Sequence, residues 1–525
     1  MLRYGLIVLG LALISPAVTH AQDDDELSLE PVRLEEDPQA RMVMESAIKA
    51  YKKDDFLRAS LLLYDLVARH ETAVGDYEQK AEYTLGKTLY RLELYQASLN
   101  FFDRVVNAGP SHRYFKATCK WIYYLSRKIS GDPGLLEKMA KFRPTDCPRE
   151  FRSELAFLVG QYYYKQGDVN TSLKHLRTVK RASRYFPKAK FLEGISYVRL
   201  EQPKPAVRAF KDLMRTTVDA SRANSASEDL KYFNQLAILS MARVFYSTGQ
   251  FANAAKYYDR IGQDSTLWLN ALFEASWTNY MWDNHEKALG NLHTLNSPFF
   301  KDEYVPEAGI LEAVIFFANC NFPKAREAVQ RFLVSYEPLR DEIQGYLQDM
   351  QEPTELYDFL LKLQDGGSSI SPRVSQILSA AFGDKTLKRI NAYIRELGRE
   401  TKMVEQSRST WARSQLAQRI ISETDVIKSL AVGEAGALAR KRLQRVVDEL
   451  TRLISDARKI DFEITSSEKV GLESELMGAS TPKKRARRGS LYATDDEHLY
   501  WTFNGEYWRD ELGYYLYTIK SECGR

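Results

Sequence analysis

A spacing of 34 residues between small side chains limits the folds open to this chain more than any other feature of its sequence. Gly160 and Gly194 are 34 positions apart, and Ser172 and Ala206 are separated by the same distance. A fixed period of about 20–50 residues is typical of proteins built from stacked supersecondary units. The period therefore predicts an array of repeated units rather than one globular core.

The residues around the small positions indicate that each unit consists of two helices. Ala254-x3-Tyr258 is matched 34 residues later by Ala288-x3-Leu292, so a small residue precedes a bulky one by about one helical turn. Two antiparallel helices approach closely only where side chains are small, and bulky side chains fill the gaps beside the crossing. Each helix pair leaves an apolar face that the next pair covers. The pattern predicts an all-α solenoid of about eight helical hairpins over residues 41–340.

One interval in the array is longer than the others. Ala206 and Ala254 are 48 positions apart instead of 34, and the polar, Ser/Ala/Asn-rich residues 218–229 lie between them. Clusters of small polar residues between periodic segments are typical of loops. The excess predicts a polar insertion over residues 218–229.

The repeated residues resemble the tetratricopeptide repeat (TPR), a helix–turn–helix unit with small residues at its crossing points. The resemblance implies a TPR-like solenoid in which the first helix of each unit lines an inner groove. An aromatic groove suits an extended or helical apolar segment of a partner protein. The alternative is a tightly wound array that closes the groove with its own side chains. The candidate protein-binding residues at the inward positions that the family implies are Tyr83, Tyr90, Phe157, Tyr164, Phe191, Arg243, Tyr246, Phe273, Trp277 and Tyr280.

Residues 341–480 are predicted to form a second helical region of coiled-coil character. Val432–Gly436 predicts a turn between two antiparallel arms, which gives a long helical hairpin. The alternative is a single arm that dimerises with another chain. Spacings of three and four alternate between apolar residues, as in a coiled-coil seam. The residues of this seam are Leu443, Val446, Leu450, Leu453, Ala457, Ile460 and Ile464.

The C-terminal segment, residues 491–525, is unusually rich in aromatic residues. Trp501, Tyr507 and Trp508 lie within it and complete the set of candidate protein-binding residues. Each exposed ring would leave a large apolar area in water, so the segment either folds back on the helices or docks onto another protein.

A basic linker over residues 481–490 precedes the aromatic segment. Residues 483–488 supply five Lys and Arg side chains to this linker. The run is interpreted as a solvated linker or as a contact with an acidic partner or with the membrane or cell-wall surface.

The N-terminus predicts export of the protein from the cytoplasm. Met1–Arg3 is positively charged, Tyr4–Ile14 is apolar, and Thr19-His20-Ala21 ends in a small-x-small pattern. This is the composition of a secretory signal peptide, and an apolar core of about 11 residues is too short to cross a bilayer. The sequence predicts a signal peptide over residues 1–21, an acidic linker over 22–40 and a periplasmic mature chain without a transmembrane span.

No cysteine lies in the signal peptide or directly after it, so lipid attachment of the bacterial lipoprotein type is not expected. The four cysteines of the chain are too few for a disulfide scaffold, and their pairing cannot be read from the sequence.

Composition and motifs give no indication of catalysis. The formal net charge of +4 is too small to make nucleic acid an expected partner. The seven histidines are scattered, and the chain has no Cys-x-x-Cys, His-Glu-x-x-His or phosphate-binding Gly-x4-Gly-Lys-Ser/Thr motif. The sequence therefore predicts a protein that is not an enzyme and that holds no cofactor and no metal.

The signal peptide, the degenerate repeats, the helical hairpin and the run from Leu499 to Tyr515 occur together in this chain. This combination resembles the periplasmic TPR proteins of the adventurous gliding motility machinery of deltaproteobacteria. The resemblance implies a non-catalytic scaffold that binds other envelope proteins through the solenoid groove and the aromatic segment, in an envelope-spanning complex. The alternative is a periplasmic adaptor in cell-wall synthesis or cell division.

Overall fold

The computed structural model describes most of the chain. Its described residues are 38–68, 75–129, 134–222, 227–300, 303–364, 374, 377, 385–476 and 503–523. They form helices, turns and irregular segments and contain no strand. The predicted signal peptide, the basic linker and Trp501 lie outside these residues. The described chain is all-α, as the sequence predicts.

Eight helix pairs follow one another through the described part of the solenoid. The two helices of each pair contact each other, and the second helix of each pair contacts the first helix of the next. This side-by-side stacking of helical hairpins is a TPR-like solenoid. The helices are α1 (Pro38–Lys52), α2 (Phe56–Ala68), α3 (Gly75–Arg91), α4 (Tyr95–Ala108), α5 (Phe115–Lys128), α6 (Leu135–Ala140), α7 (Arg152–Lys165), α8 (Val169–Leu176), α9 (Phe186–Arg199), α10 (Pro203–Arg222), α11 (Glu228–Ser247), α12 (Phe251–Tyr258), α13 (Trp268–Met281), α14 (His285–Leu295), α15 (Pro306–Ala318) and α16 (Phe322–Asp349).

The small residues of the repeat lie where the two helices of a pair touch. A Cβ atom at Gly160 would lie 2.8 Å from the side chain of Leu176 on the partner helix, and one at Gly194 would overlap the ring of Phe210. The hydroxyl of Ser172 donates a hydrogen bond of 2.7 Å to the carbonyl of Gly160 across the same crossing. The period of the sequence is therefore set by the sterics of close helix approach.

The described residues of the insertion predicted over 218–229 are mostly helical. α10 continues to Arg222 and α11 begins at Glu228, and each of these helices has 20 residues. The Ser227 side chain accepts a hydrogen bond from the backbone N–H of Leu230 and caps α11. The longer interval is thus taken up largely by lengthening two helices.

The helices that follow the solenoid pack against one long helix near the C-terminus. α17 spans Pro353–Gln364 and α18 spans Lys385–Glu405. A single helical turn, Ser409–Ala412, leads into a helix of 62 residues, Gln415–Leu476, called the long helix below. The long helix contacts α15, α16, α17, α18 and α4.

The turn predicted at Val432–Gly436 is wrong, because the long helix passes through these residues without interruption. The chain instead reverses at residues 406–414, between α18 and the long helix. A Cβ atom at Gly436 would overlap the carbonyl oxygen of Pro353 at the start of α17. Glycine therefore serves a close approach of two backbones at this point and not a turn.

The predicted coiled-coil seam faces the solenoid of the same chain. Leu453 and Ala457 share a buried cluster with Ala328 of α16, and Ile464 shares one with Leu311 of α15. These seam residues are almost fully buried without a second chain. The seam thus joins the long helix to the last helix pair.

The repeat was expected to fade near residue 340, but α16 continues through Pro338 to Asp349. Proline lacks an N–H, so the carbonyl four residues earlier, on Val334, loses its helical partner. Pro338 is exposed and the Val334 side chain is 74 % exposed, so this carbonyl lies on the water side of the helix. Solvent on that side can replace the missing donor.

The other end of the C-terminal region returns to the first helix pairs. The indole Nε1 of Trp411 donates a hydrogen bond of 2.9 Å to Ser60 Oγ on α2. The buried carboxyl group of Glu400 accepts backbone hydrogen bonds from Gln96, at 2.6 Å, and from Ala97, at 3.4 Å. Both N–H groups lie in the first turn of α4, so Glu400 caps this helix from a distant part of the chain.

We expect Gly194→Ala to lower the free energy of unfolding by about 1–3 kcal/mol, because the added methyl group overlaps the buried Phe210 ring. Gly345→Ala is the control, since a Cβ at this position of α16 meets nothing within 4 Å. The free energy of unfolding of this control should be unchanged or higher by up to about 1 kcal/mol. Urea denaturation of both variants measures the effect, and equal midpoints would contradict the close crossing.

Glu400 should make stability depend on pH. Burial raises the pKa of this carboxyl to about 8, against the opposing hydrogen bonds from Gln96 and Ala97. The folded protein then holds a proton that the unfolded chain has released above about pH 4.3, so stability falls as pH rises towards 8. Melting temperatures from pH 5 to 9 should therefore fall more in the wild type than in Glu400→Gln. Glu405→Gln, an equal charge change at an exposed position of α18, should follow the wild type.

Candidate protein-interaction surface

The first half of the predicted groove is closed by the chain itself. Tyr83 is 3 % exposed and Phe157 is 8 % exposed. The ring of Tyr83 stacks on Tyr114, and its hydroxyl accepts a hydrogen bond of 3.0 Å from the indole of Trp121. Tyr90 is half-buried and packs edge-on against Trp121. These positions therefore serve packing between the repeats.

The C-terminal helices lie beside the end of α7. Lys165 interacts electrostatically with Arg389 of α18 and with Glu434 of the long helix. Burial and the neighbouring Arg389 lower the pKa of Lys165, with Glu434 opposing them. Residues of both antiparallel helices thus contribute to the electrostatic environment at the end of α7.

Six of the predicted inward rings on α7 to α13 are half-buried and are called the aromatic wall. Each ring lies at an inward position of a first helix, from α7 to α13. The aromatic wall consists of Tyr164, Phe191, Tyr246, Phe273, Trp277 and Tyr280.

Neighbouring units touch one another along the wall. The guanidinium of Arg199 on α9 lies over the ring of Tyr164, and Phe191 packs edge-on against Phe233 of α11 at 5.7 Å between ring centroids. On α13, the rings of Trp277 and Tyr280 lie 6.0 Å apart. The rings are thus held in place and still present part of their surface, which is the condition for binding apolar side chains.

The charged candidate residue, Arg243, forms an ion pair with the neighbouring repeat unit. Its guanidinium forms two hydrogen bonds with the carboxylate of Glu274 on α13, at 2.8 and 2.5 Å. The Tyr258 hydroxyl donates to the same carboxylate at 3.0 Å. The hydrogen bond that Arg243 donates to Glu274 raises the pKa of Arg243, and burial raises the pKa of Tyr258. Arg243 therefore fixes the spacing of α11 and α13, and the wall is chiefly apolar.

A second surface is formed by the end of the chain. Residues 503–523, called the strap, fold back along α14. Lys287 Nζ donates a hydrogen bond of 2.8 Å to the carbonyl of Gly513, whose N–H donates to Thr294 Oγ1 at 2.9 Å. Gln263 Nε2 donates to the carbonyl of Leu512 at 2.6 Å. These residues of the C-terminal segment therefore fold back on the helices, which is one of the two alternatives that the sequence left open.

Aromatic rings surround one histidine beneath the strap. The centroids of Phe503, Tyr507 and Tyr515 lie 4.5–5.0 Å from that of His293 on α14. Burial lowers the pKa of His293, which favours the neutral imidazole at pH 7. The predicted binding residue Tyr507 is thus half-buried against the protein, while Trp508 is 58 % exposed.

The far end of the strap is fixed covalently. The backbone N–H of Glu522 donates a hydrogen bond of 2.9 Å to the carbonyl of Asn319, and Cys523 forms a disulfide with Cys320. The other two cysteines, Cys119 and Cys147, form a second disulfide. All four cysteines of the chain are therefore paired.

Sequence reasoning missed the residues that receive the strap. Neither His293 nor Gly290 is among the candidate binding residues that the sequence predicts. The available signals were a glycine inside a helical run and the density of rings in the tail. Neither signal states that these two segments meet.

Comparison with known proteins leaves the family open. No protein-family model matches the chain, and a search of curated proteins finds no relative. Among solved structures, a tetratricopeptide repeat protein from Parabacteroides merdae has 13 % identity and a TM-score of 0.24, and the match covers 56 % of this chain and 91 % of that one.

The APC/C hetero-tetramer Cut9-Hcn1 has 10 % identity and a TM-score of 0.19, covering 80 % of this chain and 96 % of that one. A circular tandem repeat protein with novel repeat topology has 13 % identity and a TM-score of 0.12, covering 82 % and 91 %. With TM-scores this low, the assignment of the fold rests on the helix pairs described above.

Two further properties concern the described residues only. In this part of the chain, no group of three or more His, Cys, Asp or Glu side chains is arranged to hold a metal ion. No helix in it combines the length and the apolar character needed to cross a membrane.

Proposed function

We propose that this chain is a non-catalytic scaffold of the bacterial envelope that binds protein partners through the aromatic wall. The observation that carries the proposal is the wall itself, in which six half-buried rings lie on successive first helices of the solenoid. Rings that are held by their neighbours and partly exposed bind apolar side chains at little cost in side-chain entropy. The expected ligand is an extended or helical apolar segment of another protein.

The periplasm is the proposed compartment. Residues 1–21 have the composition of a cleaved signal peptide. The pairing of all four cysteines supports the same location, because disulfides persist in oxidising compartments and are rare in the cytosol. Sequencing the N-terminus of the protein from osmotically released periplasm tests this location, with Gln22 as the expected first residue.

The proposed assembly is the envelope-spanning complex of the gliding motility machinery. The resemblance of the run from Leu499 to Tyr515 supports this choice. The exposed Trp508 ring lies within that run and offers a second contact for an envelope protein. Loss of surface gliding on deletion of the gene, with restoration by the wild-type chain, is the expected phenotype. Unchanged gliding after deletion of the gene would show that the protein is not part of this machinery.

A photo-reactive amino acid at Trp277 should form an adduct with a specific envelope protein in living cells, because this position lies on the aromatic wall. The control is Met42, which is 69 % exposed on α1, at the other end of the solenoid from Trp277. Mass spectrometry of the adducts identifies the partner. Equal adducts from both positions, or none from Trp277, would sink the proposal that the wall is the binding surface.

A further inference from the structure

The strap lies on α14 at a point where only glycine leaves room for it. A Cβ atom at Gly290 would overlap the carbonyl group of Tyr515, so the backbone of the strap runs directly against the helix. On the strap side, Gly513 has a φ of 85°, and a Cβ there would lie 2.9 Å from the ring of Trp268. Two glycines, one on each surface, thus create the fit.

α14 and its neighbours recognise the strap mainly through main-chain groups. The hydrogen bonds made by Leu512 and Gly513 use backbone atoms of the strap, and so does the bond of 3.1 Å from the N–H of Tyr517 to the carbonyl of Glu286. Side-chain recognition is added by the rings around His293. Backbone hydrogen bonds with a few side-chain contacts are the usual mode of binding for an extended peptide.

The strap is held by few buried side chains. Leu512 is buried at 3 % exposure, whereas Trp508 and Tyr514 are 58 % and 67 % exposed. The Cys320–Cys523 disulfide keeps the strap at a high local concentration over the surface it covers. Once this bond is open, a similar segment from another molecule competes with the strap.

We propose that the surface around Gly290, His293 and Lys287, called the strap groove, is a second protein-binding site. Its ligand is an extended segment of a partner protein with a glycine followed by aromatic residues, the chemistry of the strap itself. The strap groove adjoins the aromatic wall, since Trp277 and Tyr517 pack in the same apolar cluster. The two proposals are therefore distinguished by their tests: substitution of Gly290 acts on the strap groove, and adduct formation at Trp277 reports on the wall.

The groove opens by thiol–disulfide exchange with a protein dithiol. One thiolate of the dithiol attacks a sulfur of the Cys320–Cys523 bond and forms a mixed disulfide. The second thiol then displaces the bound sulfur. Both cysteines of this chain leave as thiols, and the dithiol becomes a disulfide, so the two electrons and two protons are balanced.

A labelled peptide of residues 503–519 tests the site by fluorescence anisotropy. The full chain carrying Cys523→Ser and Gly513→Ala has an intact groove and a weakened strap, because the new methyl group meets Trp268. This variant should bind the peptide, and the oxidised wild type should not. Adding Gly290→Ala, which blocks the groove and favours helix, should weaken binding about ten-fold or more.

The matched peptide control carries Gly513→Ala and should bind about ten-fold more weakly than the natural peptide. Melting curves of all variants verify that each one is folded. Absence of binding to the open variant, or equal binding with and without Gly290→Ala, would overturn the site. A dimer of the Cys523→Ser protein with exchanged straps, seen by light scattering and crosslinking, would assign the groove to a second copy and overturn the partner.

Discussion

The packing of the long helix against both ends of the solenoid is the interaction on which the rest of the structure depends. In a simple repeat array each unit contacts only its neighbours, so the terminal units can open separately. Here a helix of 62 residues, about 93 Å at 1.5 Å per residue, connects the two ends. Trp411 next to this helix contacts α2, and Ile464 within it packs against α15.

This closure changes how the array should fold. The hydrogen bond from Trp411 to Ser60 joins residues 351 positions apart. Contacts of such long sequence separation form only after most of the chain is ordered, since the loop entropy must be overcome first. Once formed, they couple the first and last helix pairs, so opening one end exposes apolar surface at the other. We therefore expect the two ends of the solenoid to unfold together rather than separately.

The predicted groove also has two parts that differ in how deeply their aromatic rings are buried. In the first half, rings such as Tyr83 contact other aromatic residues of the chain and are buried. From α7 to α13 the predicted inward rings are only half-buried, apart from Phe157, which is 8 % exposed. Self-packing thus applies to the first part of the array, and the half-buried rings of the second part are the surface that we propose for binding.

What the sequence predicts well is what depends on neighbouring residues. The 34-residue period is readable because the Gly194 crossing is a local steric requirement that recurs in each unit. The seam through Leu453 is readable as an apolar face, but its partner on α16 is not, because periodicity carries no information about distant segments. Gly436 was misread because a glycine in a helical run marks either a break or a close approach.

The position of the strap is likewise a contact between distant segments that the sequence does not predict. Cys320 and Cys523 are 203 positions apart, and nothing in their local sequences relates them. The chain-entropy model assigns about 5 kcal/mol to closing a loop of this length, more than the roughly 1.5–3 kcal/mol gained by burying one leucine such as Leu512. The covalent bond therefore contributes more to holding the tail than the burial of Leu512 alone, and partly buried side chains such as Tyr517 and Ile519 add to the apolar contacts. A contact that depends on one reversible bond between distant residues leaves little trace in composition or periodicity, which is why the tail's aromatic residues indicated a binding segment without indicating where it binds.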